Sequence, residues 1–377
     1  MQRNLLFVVN VDWFFWSHRL PIALEAQRQG FRVHIATRLT GLQEQIESLG
    51  IVVHPLAAMN RSSTGLADAC RTVAELWRLY KSVLPDVVHL VTIKPVLLGG
   101  LVARFAGVPA VVMAVSGLGF VFTATGFKAL LRRLAVTALY RLAFGHRNLK
   151  IIFQNADDQL VLTKSMGLPQ EKINLIRGSG VDLTVFCKVP QLPAVPEIVF
   201  AARLLIDKGV CEFVDAARLL KARGVSARFC IVGTVDPDNP SSVDDFTVKQ
   251  WENEGVVELW GHRSDMPNVL KSAYLVVLPS YREGLPKILL EAAACGRAVV
   301  TTDVPGCRDA ITPGITGILV PARNVIALSD ALEALINDPV RCRDMGDAGR
   351  LLAERSFDVQ LVVDKHLDIY EELIETS

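Results

Sequence analysis

Short, uninterrupted apolar runs alternate along this chain with longer stretches whose apolar positions recur at helical spacing. An apolar run bounded by turn residues is the pattern of a strand buried on both faces. Recurrence every three or four residues is the pattern of an amphipathic helix. Residues 5–9, 31–36, 51–54, 86–91, 110–115, 150–153 and 173–176 therefore predict strands. Ser17 reads as the N-cap of a helix that ends at Gly30, and further helices are predicted over 42–49, 66–83, 96–105, 127–143 and 156–166. The periodicity is lost over 183–196, where Pro190, Pro193 and Pro196 cluster. It then starts again. Strands are predicted at 198–202, 228–232, 256–260, 274–278, 298–302 and 317–320, and helices at 210–223, 243–254, 266–272, 287–295, 325–337, 339–356 and 359–375.

Strands separated by helices, twice over, imply an α/β protein of two doubly wound parallel sheets, each covered on both faces. The expected domains are 1–188 and 189–356, with a C-terminal helical segment, 357–377, packing back toward the first. A length of 377 residues fits two domains. Ligands of such sheets bind outside the carboxyl ends of the strands, and the cleft between two similar domains is the expected site.

Composition changes this picture in three places. The seven cysteines (70, 187, 211, 230, 295, 307 and 342) are scattered and form no C-x-x-C pair. That fits reduced thiols in the cytoplasm rather than a disulfide framework or a zinc site. The first ten residues pass straight into a strand and lack the long apolar region of a signal peptide. Residues 105–127 are uncharged and long enough to span a bilayer. Pro109, Gly107, Gly117, Gly119 and Gly126 interrupt them, so they read as a buried strand followed by a loop.

Charge is split along the chain. Residues 1–188 carry 21 Lys and Arg against 11 Asp and Glu, whereas residues 189–377 carry 19 against 28. Residues 87–156 contain no acidic residue and eight basic ones. A basic first half points to an anionic partner. The basic segment is apolar and helical rather than a basic and aromatic platform, which argues against nucleic acid and fits either an anionic membrane surface or a solvated basic helix.

The candidate chemistry gathers at predicted strand ends. Residues 279–296 (PSYREGLPKILLEAAACG) follow an apolar run, turn at Glu283-Gly284, and enter a helix for which Pro286 suits the first turn. Free N–H groups and the helix dipole favour an anion there, while Glu283 and Glu291 add acceptors for sugar hydroxyls. Arg203 and Lys208 follow the first strand of the second half and suit a diphosphate, although a solvated loop fits them too. Arg263, after another strand, can stack on a base or simply lie in a surface turn. The glycine-rich turn 178–182 lines a cleft or acts as a hinge. In the first half, Asn10, His18 and Arg19, then His89 with Lys94, then Ser116, Gly117 and Gly119 each follow a predicted strand and should share one rim. His18 and Arg19 are read at a helix start, where a cation is mildly unfavourable and hints at a ligand. His89 fits either that rim or a hydrogen-bonded place in the core. No paired histidines or carboxylate cluster of ligand spacing mark a metal site.

Arg203 with Lys208, Arg263, and the Glu283–Glu291 pair, in this order, resemble the family-4 retaining glycosyltransferases of the GT-B fold. His18-Arg19, His89 with Thr92-Ile93-Lys94-Pro95, Gly117-Leu118-Gly119, Asp238-Asn239-Pro240-Ser241 and the 280–284 turn are similar to bacterial enzymes that extend undecaprenyl-diphosphate-linked sugars. Those include the N-acetylgalactosaminyltransferases of protein N-glycosylation and relatives in O-antigen and capsule assembly. The resemblance implies that Arg203 and Lys208 hold the diphosphate of a UDP-sugar. It implies Arg263 near the uracil, Glu291 on the ribose, and Glu283 with backbone groups of Gly284, Leu285 and Pro286 on the transferred sugar. Arg203, Lys208 and Glu283 would carry catalysis. Asn10, His18, Arg19, His89, Lys94, Ser116, Gly117 and Gly119 would line the site of a lipid-diphosphate-linked sugar acceptor. It further implies retention of configuration, no metal or other cofactor, and a place on the cytoplasmic face of the inner membrane. The chain departs from the family pattern at Asn10-Val11-Asp12-Trp13, where a glycine pair is common. It also has Ala202 and Ser116 where Gly and Glu are found, and no histidine near Gly119. A UDP-N-acetylglucosamine 2-epimerase of the same fold and a non-catalytic nucleotide-sugar binding subunit are the rival readings.

Overall fold

The computed structural model describes residues 2–59, 65–117, 127–188 and 193–376, the side chains of Leu66 and residues 127–135 excepted. The chain divides into two compact units, Met1–Ser179 with Gln360–Ser377, and Gly180–Val359. The sequence boundary at 188/189 and the C-terminal segment beginning at 357 therefore differ from this division. Residues 180–188 belong with the second unit because Val181 pairs with the chain beside Phe357: its N–H donates to Phe357 O at 2.8 Å, and Val359 N–H donates back to Val181 O at 3.0 Å.

In the first unit, strands β1 (Asn4–Val11), β2 (Arg32–Arg38), β3 (Val52–Pro55), β4 (Val87–Val91), β5 (Ala110–Val115), β6 (Leu149–Phe153) and β7 (Ile173–Leu175) form one parallel sheet in the order β3-β2-β1-β4-β5-β6-β7. The helices are α1 (Asp12–His18), α2 (Leu20–Arg28), α3 (Gln43–Ser48), α4 (Leu66–Val83), α5 (Gly100–Ala106), α6 (Phe127–Phe144) and α7 (Ala156–Met166). The central strands are mostly apolar and buried on both faces; Leu5 to Val9 are fully buried.

In the second unit, β8 (Glu197–Ala201), β9 (Arg228–Val232), β10 (Glu258–Gly261), β11 (Leu275–Leu278), β12 (Ala298–Thr302) and β13 (Gly317–Val320) give a parallel sheet in the order β10-β9-β8-β11-β12-β13. Helices α8 (Val210–Ala222), α9 (Asp245–Glu254), α10 (Met266–Ser272), α11 (Lys287–Ala294), α12 (Val325–Ile336) and α13 (Pro339–Ser356) cover it. The last helix, α14 (Val359–Glu375), returns almost wholly to the first unit. In each sheet the strand order reverses once, between β1 and β4 and between β8 and β11. Such a reversal opens a crevice at the carboxyl ends of the two strands, where ligands of doubly wound sheets bind.

Three local readings are corrected. Ser17 is not an N-cap: it lies inside α1, and the helix expected over 17–30 is two helices broken at Arg19 (φ −129°, ψ −13°). Pro21, in the first turn of α2, lacks the N–H needed to continue α1 and would crowd the carbonyl four residues back. His18 therefore ends a helix, where a cation is favourable. The helix expected over 96–105 begins as a π-helix, Pro95–Gly99, and tightens into α5. Pro286 takes the N-cap position of α11 with extended backbone, one residue before the first turn.

Candidate active site

Of the donor-side candidates, Lys208 and Glu283 meet where β8 and β11 part. Arg203 follows β8, and Lys208 closes the single 3-10 turn Ile206–Lys208 before α8. Opposite them, the 280–284 turn follows β11. Lys208 Nζ lies 2.5 Å from Glu283 Oε1, and Ser280 Oγ donates to the same oxygen at 2.7 Å. The side chains of Lys208 and Glu283 are 21% and 11% exposed, so this pair is only partly screened by water. Ser280 Oγ also lies 3.0 Å from Asp207 O, and Tyr281 N–H donates to Asp207 O at 2.9 Å. These bonds lock the 280–284 turn to the Lys208 loop.

Two glycines make that fit sterically available. At Gly209 (φ +74°) a Cβ would stand 2.2 Å from Pro279 O, and at Gly306 (φ +82°) 2.5 Å from Glu283 O. Neither position has room for a side chain, and both need the left-handed backbone that glycine adopts freely.

Arg203 is paired too: its Nη1 donates to Asp236 Oδ2, on the loop after β9. Asp236 is held in turn by Ser242 Oγ, which accepts from its N–H at 3.0 Å. Both cations expected to meet a diphosphate thus face a carboxylate. Glu291 is buried in α11, and burial pushes its carboxyl up while Lys287 Nζ, 3.4 Å away, pulls it back. Arg263 sits on the loop after β10, 6.0 Å from the Trp260 ring centre, and grips Asp265 with two 2.7 Å hydrogen bonds. The side chain of Leu285 goes into the core rather than toward a ligand.

The spacing of motifs did not point to Asp236, or to a second support of the turn. Arg323, between β13 and α12, stands 4.4 Å over the Tyr281 ring, whose hydroxyl donates to Glu212 Oε1 at 2.5 Å. Arg323 has φ +60°, an unusual backbone for a non-glycine residue. The only sequence signal is a loop position where glycine would be easier.

In the first unit the expected rim separates. Asn10 is the last but one residue of β1, and its Oδ1 is buried without a hydrogen-bond partner. Lys94 stands at the N-cap of the π-helix, where burial lowers the pKa of its ammonium and Asp68 raises it. Ser116 and Gly117, the latter at φ +128°, follow β5; Gly119 lies outside the described residues. His18 stacks on Phe14 at 4.1 Å and contacts Ser17 Oγ at 2.5 Å. Asp12 is buried and accepts from Trp13 N–H, Thr40 and Leu42 N–H, which hold its carboxyl below the usual range against the opposing effect of burial.

Arg19 and His89 are corrected. Neither lines a rim; both are buried in the core beneath α14. His89 Nδ1 lies 2.5 Å from Tyr370 Oη, and its ring stacks on His366 at 5.5 Å. Arg19 donates to His18 O at 2.9 Å, and its burial brings its pKa down to about 10. Of the two readings open for His89, the hydrogen-bonded core residue is the one the structure adopts. Among the described residues, no three His, Cys, Asp or Glu side chains converge as metal ligands, and no helix is long and apolar enough to cross a membrane.

Two doubly wound units, with a cation pair facing a glutamate turn in one of them, are the design of the GT-B glycosyltransferases. Comparison with known proteins agrees. Residues 195–338 match the family model described as "Glycosyl transferases group 1", and residues 4–155 the model "Glycosyl transferase 4-like". The chain is 28% identical, over 98% of itself and of its relative, to N,N'-diacetylbacillosaminyl-diphospho-undecaprenol alpha-1,3-N-acetylgalactosaminyltransferase of Campylobacter jejuni. It is 26% identical, over 81% of itself and 80% of the relative, to UDP-Gal:alpha-D-GlcNAc-diphosphoundecaprenol alpha-1,3-galactosyltransferase of Escherichia coli. Sucrose-phosphate synthase from Thermosynechococcus elongatus shares its fold with a TM-score of 0.82 at 18% identity, over the whole of both chains. The chain belongs to the group 1, family-4-like glycosyltransferases.

Proposed function

We propose that this glycosyltransferase moves a sugar from a UDP-sugar to a saccharide carried on undecaprenyl diphosphate, with retention of the anomeric configuration. In this reading the donor sugar is an N-acetylhexosamine of the GalNAc type, and the product enters a bacterial surface glycan or protein glycan. The names of the Campylobacter and Escherichia relatives support the lipid-diphosphate acceptor, and the latter the UDP donor.

One observation carries the reading: Lys208 and Glu283 face each other across the β8/β11 crevice, with Arg203 beside them on the end of β8. Lys208 and Arg203 take the donor diphosphate, Glu283 the hydroxyls of the transferred sugar, Glu291 the ribose, and Arg263 the uracil. Negative charge grows on UDP as the bond from sugar C1 to phosphate oxygen breaks. Arg203 and Lys208, turning from Asp236 and Glu283 to the phosphate oxygens, stabilise that charge together with the N-terminus of α11, as cations and oriented dipoles do. The new bond forms from the acceptor hydroxyl oxygen to C1 on the face UDP leaves, and the hydroxyl proton passes to the departing phosphate oxygen. The reading asks for no resident metal or cofactor. The acceptor side belongs to the basic first unit, which meets the anionic cytoplasmic face of the inner membrane.

The test is a screen of UDP-sugars for UDP release in the presence of a lipid-diphosphate sugar. Transfer with one donor is expected, and Arg203→Ala should lower turnover by about 10²-fold, as removal of one oxyanion donor does. Near-wild-type turnover in that variant overturns the assignment. Interconversion of UDP-sugars without transfer would identify an epimerase, and binding without any chemistry a carrier subunit.

A further inference from the structure

The strand reversal of the second unit holds the donor-side residues; that of the first unit lies between β1 and β4 and is flanked by Asn10 and Thr92. The register pairs Val9 with Val91 and Val91 with Ala114, so Asn10 and Thr92 leave neighbouring strands side by side, with Ser116 close behind on the next. Thr92 has φ +74°. A β-branched residue there is a genuine outlier, because its two heavy γ atoms crowd the backbone. Gly or Asn would relieve the crowding. The strained residue opens directly onto the π-helix Pro95–Gly99, another irregularity that gathers at functional sites.

The side chain gains nothing from the protein in return. Thr92 Oγ1 is buried and has no hydrogen-bond partner, and Asn10 Oδ1 is in the same condition. Buried polar atoms are almost always satisfied, and an orphaned one calls for a missing partner. Two orphans at the ends of adjacent strands, one of them on a strained backbone, point to the same missing group. An amide oxygen only accepts, whereas a threonine hydroxyl donates as well as accepts. Together they match a group that both donates and accepts, as an alcohol does.

We propose that Thr92 and Asn10 form a hydroxyl-binding site at the β1/β4 reversal, which takes a sugar hydroxyl of the acceptor saccharide. That hydroxyl donates to Asn10 Oδ1 and accepts from the O–H of Thr92. This rests on the acceptor reading given above, and it assigns a class of group to the acceptor side: an uncharged sugar hydroxyl rather than a phosphate.

The experiment compares Thr92→Val, Thr92→Ser and Thr92→Gly in the full chain, with a UDP-sugar donor and a lipid-diphosphate sugar acceptor. Thr92→Val keeps the shape and loses the hydroxyl, so KM for the acceptor should rise about tenfold, the weight of a lost hydrogen bond to an otherwise unpaired group. Thr92→Ser should restore acceptor KM to within about twofold, which a packing role for the lost methyl would not allow. Thr92→Gly suits the left-handed backbone, so it should fold and show the same rise as the valine variant. UDP affinity, measured by calorimetry, should not follow acceptor KM. Unchanged acceptor KM in Thr92→Val and Thr92→Gly overturns the inference alone. A wild-type protein that transfers nothing to any lipid-diphosphate sugar overturns the functional reading, and this site with it.

Discussion

At the scale of single residues, the donor-side cations are not waiting bare for a diphosphate. Lys208 is held by Glu283 and Arg203 by Asp236. A diphosphate brought to a charge-balanced site gains less than one brought to two free cations. In the proposed mechanism Glu283 has a separate task on the sugar, and Ser280 fixes it. Asp236 has no such task in the proposed mechanism, and it competes for Arg203 with the phosphate oxygens. Asp236→Asn keeps the side-chain shape and removes the competing charge. UDP should then bind about fivefold more tightly at low salt, a modest figure because Arg203 is 38% exposed and partly screened. Uridine, which carries no phosphate, should bind as before. Calorimetric titration of both ligands gives the answer. Weaker UDP binding in the variant would mean that Asp236 aims Arg203 at the phosphate rather than competing with it.

At the scale of elements, α14 is pinned to the first unit through buried histidines. His89 touches Tyr370 and His366, while His366 Nδ1 donates to Val362 O at 2.7 Å within the helix. Burial is the largest cause that holds both imidazoles neutral. Arg19 opposes a second positive charge at each, and the pKa of His366 is brought down to about 3. A histidine with a depressed folded pKa binds fewer protons in the native state than in the unfolded chain. Its contribution is therefore complete above about pH 6.5 and is lost as pH falls toward the folded value, at up to about 1.4 kcal/mol per pH unit. His366→Phe keeps the ring and removes the titration, so urea midpoints should fall less steeply for this variant between about pH 6.5 and about pH 4. His34 and His54 shift in the same direction, which is why the comparison is between wild type and variant. Equal slopes would show that His366 does not couple α14 to pH.

The same elements mark how far the sequence is legible. Helices α4, α7, α10, α13 and α14 and strands β5, β9, β12 and β13 fall on the predicted limits. Most are bounded by Gly, Pro or an Asx cap, and their apolar positions follow a single period. The break at Arg19 was not legible because apolar spacing runs on through Pro21. On the site, the apolar runs before them mark Lys208 and Glu283 as strand-end residues, but it is the adjacency of β8 and β11 that brings the two loops together. Partners such as Asp236 for Arg203 and Tyr370 for His89 come from distant segments that only the folded sheets bring together. His89 and Arg19 read as rim residues through the segments they share with Lys94 and Asn10, whereas His89 lies inside β4 and Arg19 between α1 and α2. Which way a side chain leaves a strand end depends on backbone angles that the residue types do not fix.

At the scale of the whole molecule, the charge division and the exposed aromatic residues bear on the membrane. The first 188 residues hold the basic excess, and the stretch 87–156 has no acid. Helices α4, α5 and α6 pack side by side in the first unit. On their described outer sides Trp77 is 41%, Phe105 65% and Leu142 46% exposed, close in sequence to exposed Arg78, Arg104 and Arg141. Aromatic rings settle at the headgroup level of a bilayer, and each well-placed basic residue adds about 1 kcal/mol on an anionic surface. The expected result is flotation with vesicles containing phosphatidylglycerol and none with purely zwitterionic vesicles. Raising salt from about 0.1 M to about 1 M shortens the screening length from about 10 Å to about 3 Å and should release the protein. Arg78→Glu with Arg141→Glu should weaken binding at low salt while leaving UDP affinity intact, since both residues belong to the first unit and β8 and β11 to the second. Absence of binding to anionic vesicles at low salt removes the membrane reading. Binding that survives high salt would instead assign the attachment to Trp77, Phe105 and Leu142, and alanine at those positions would then be the variant that abolishes it.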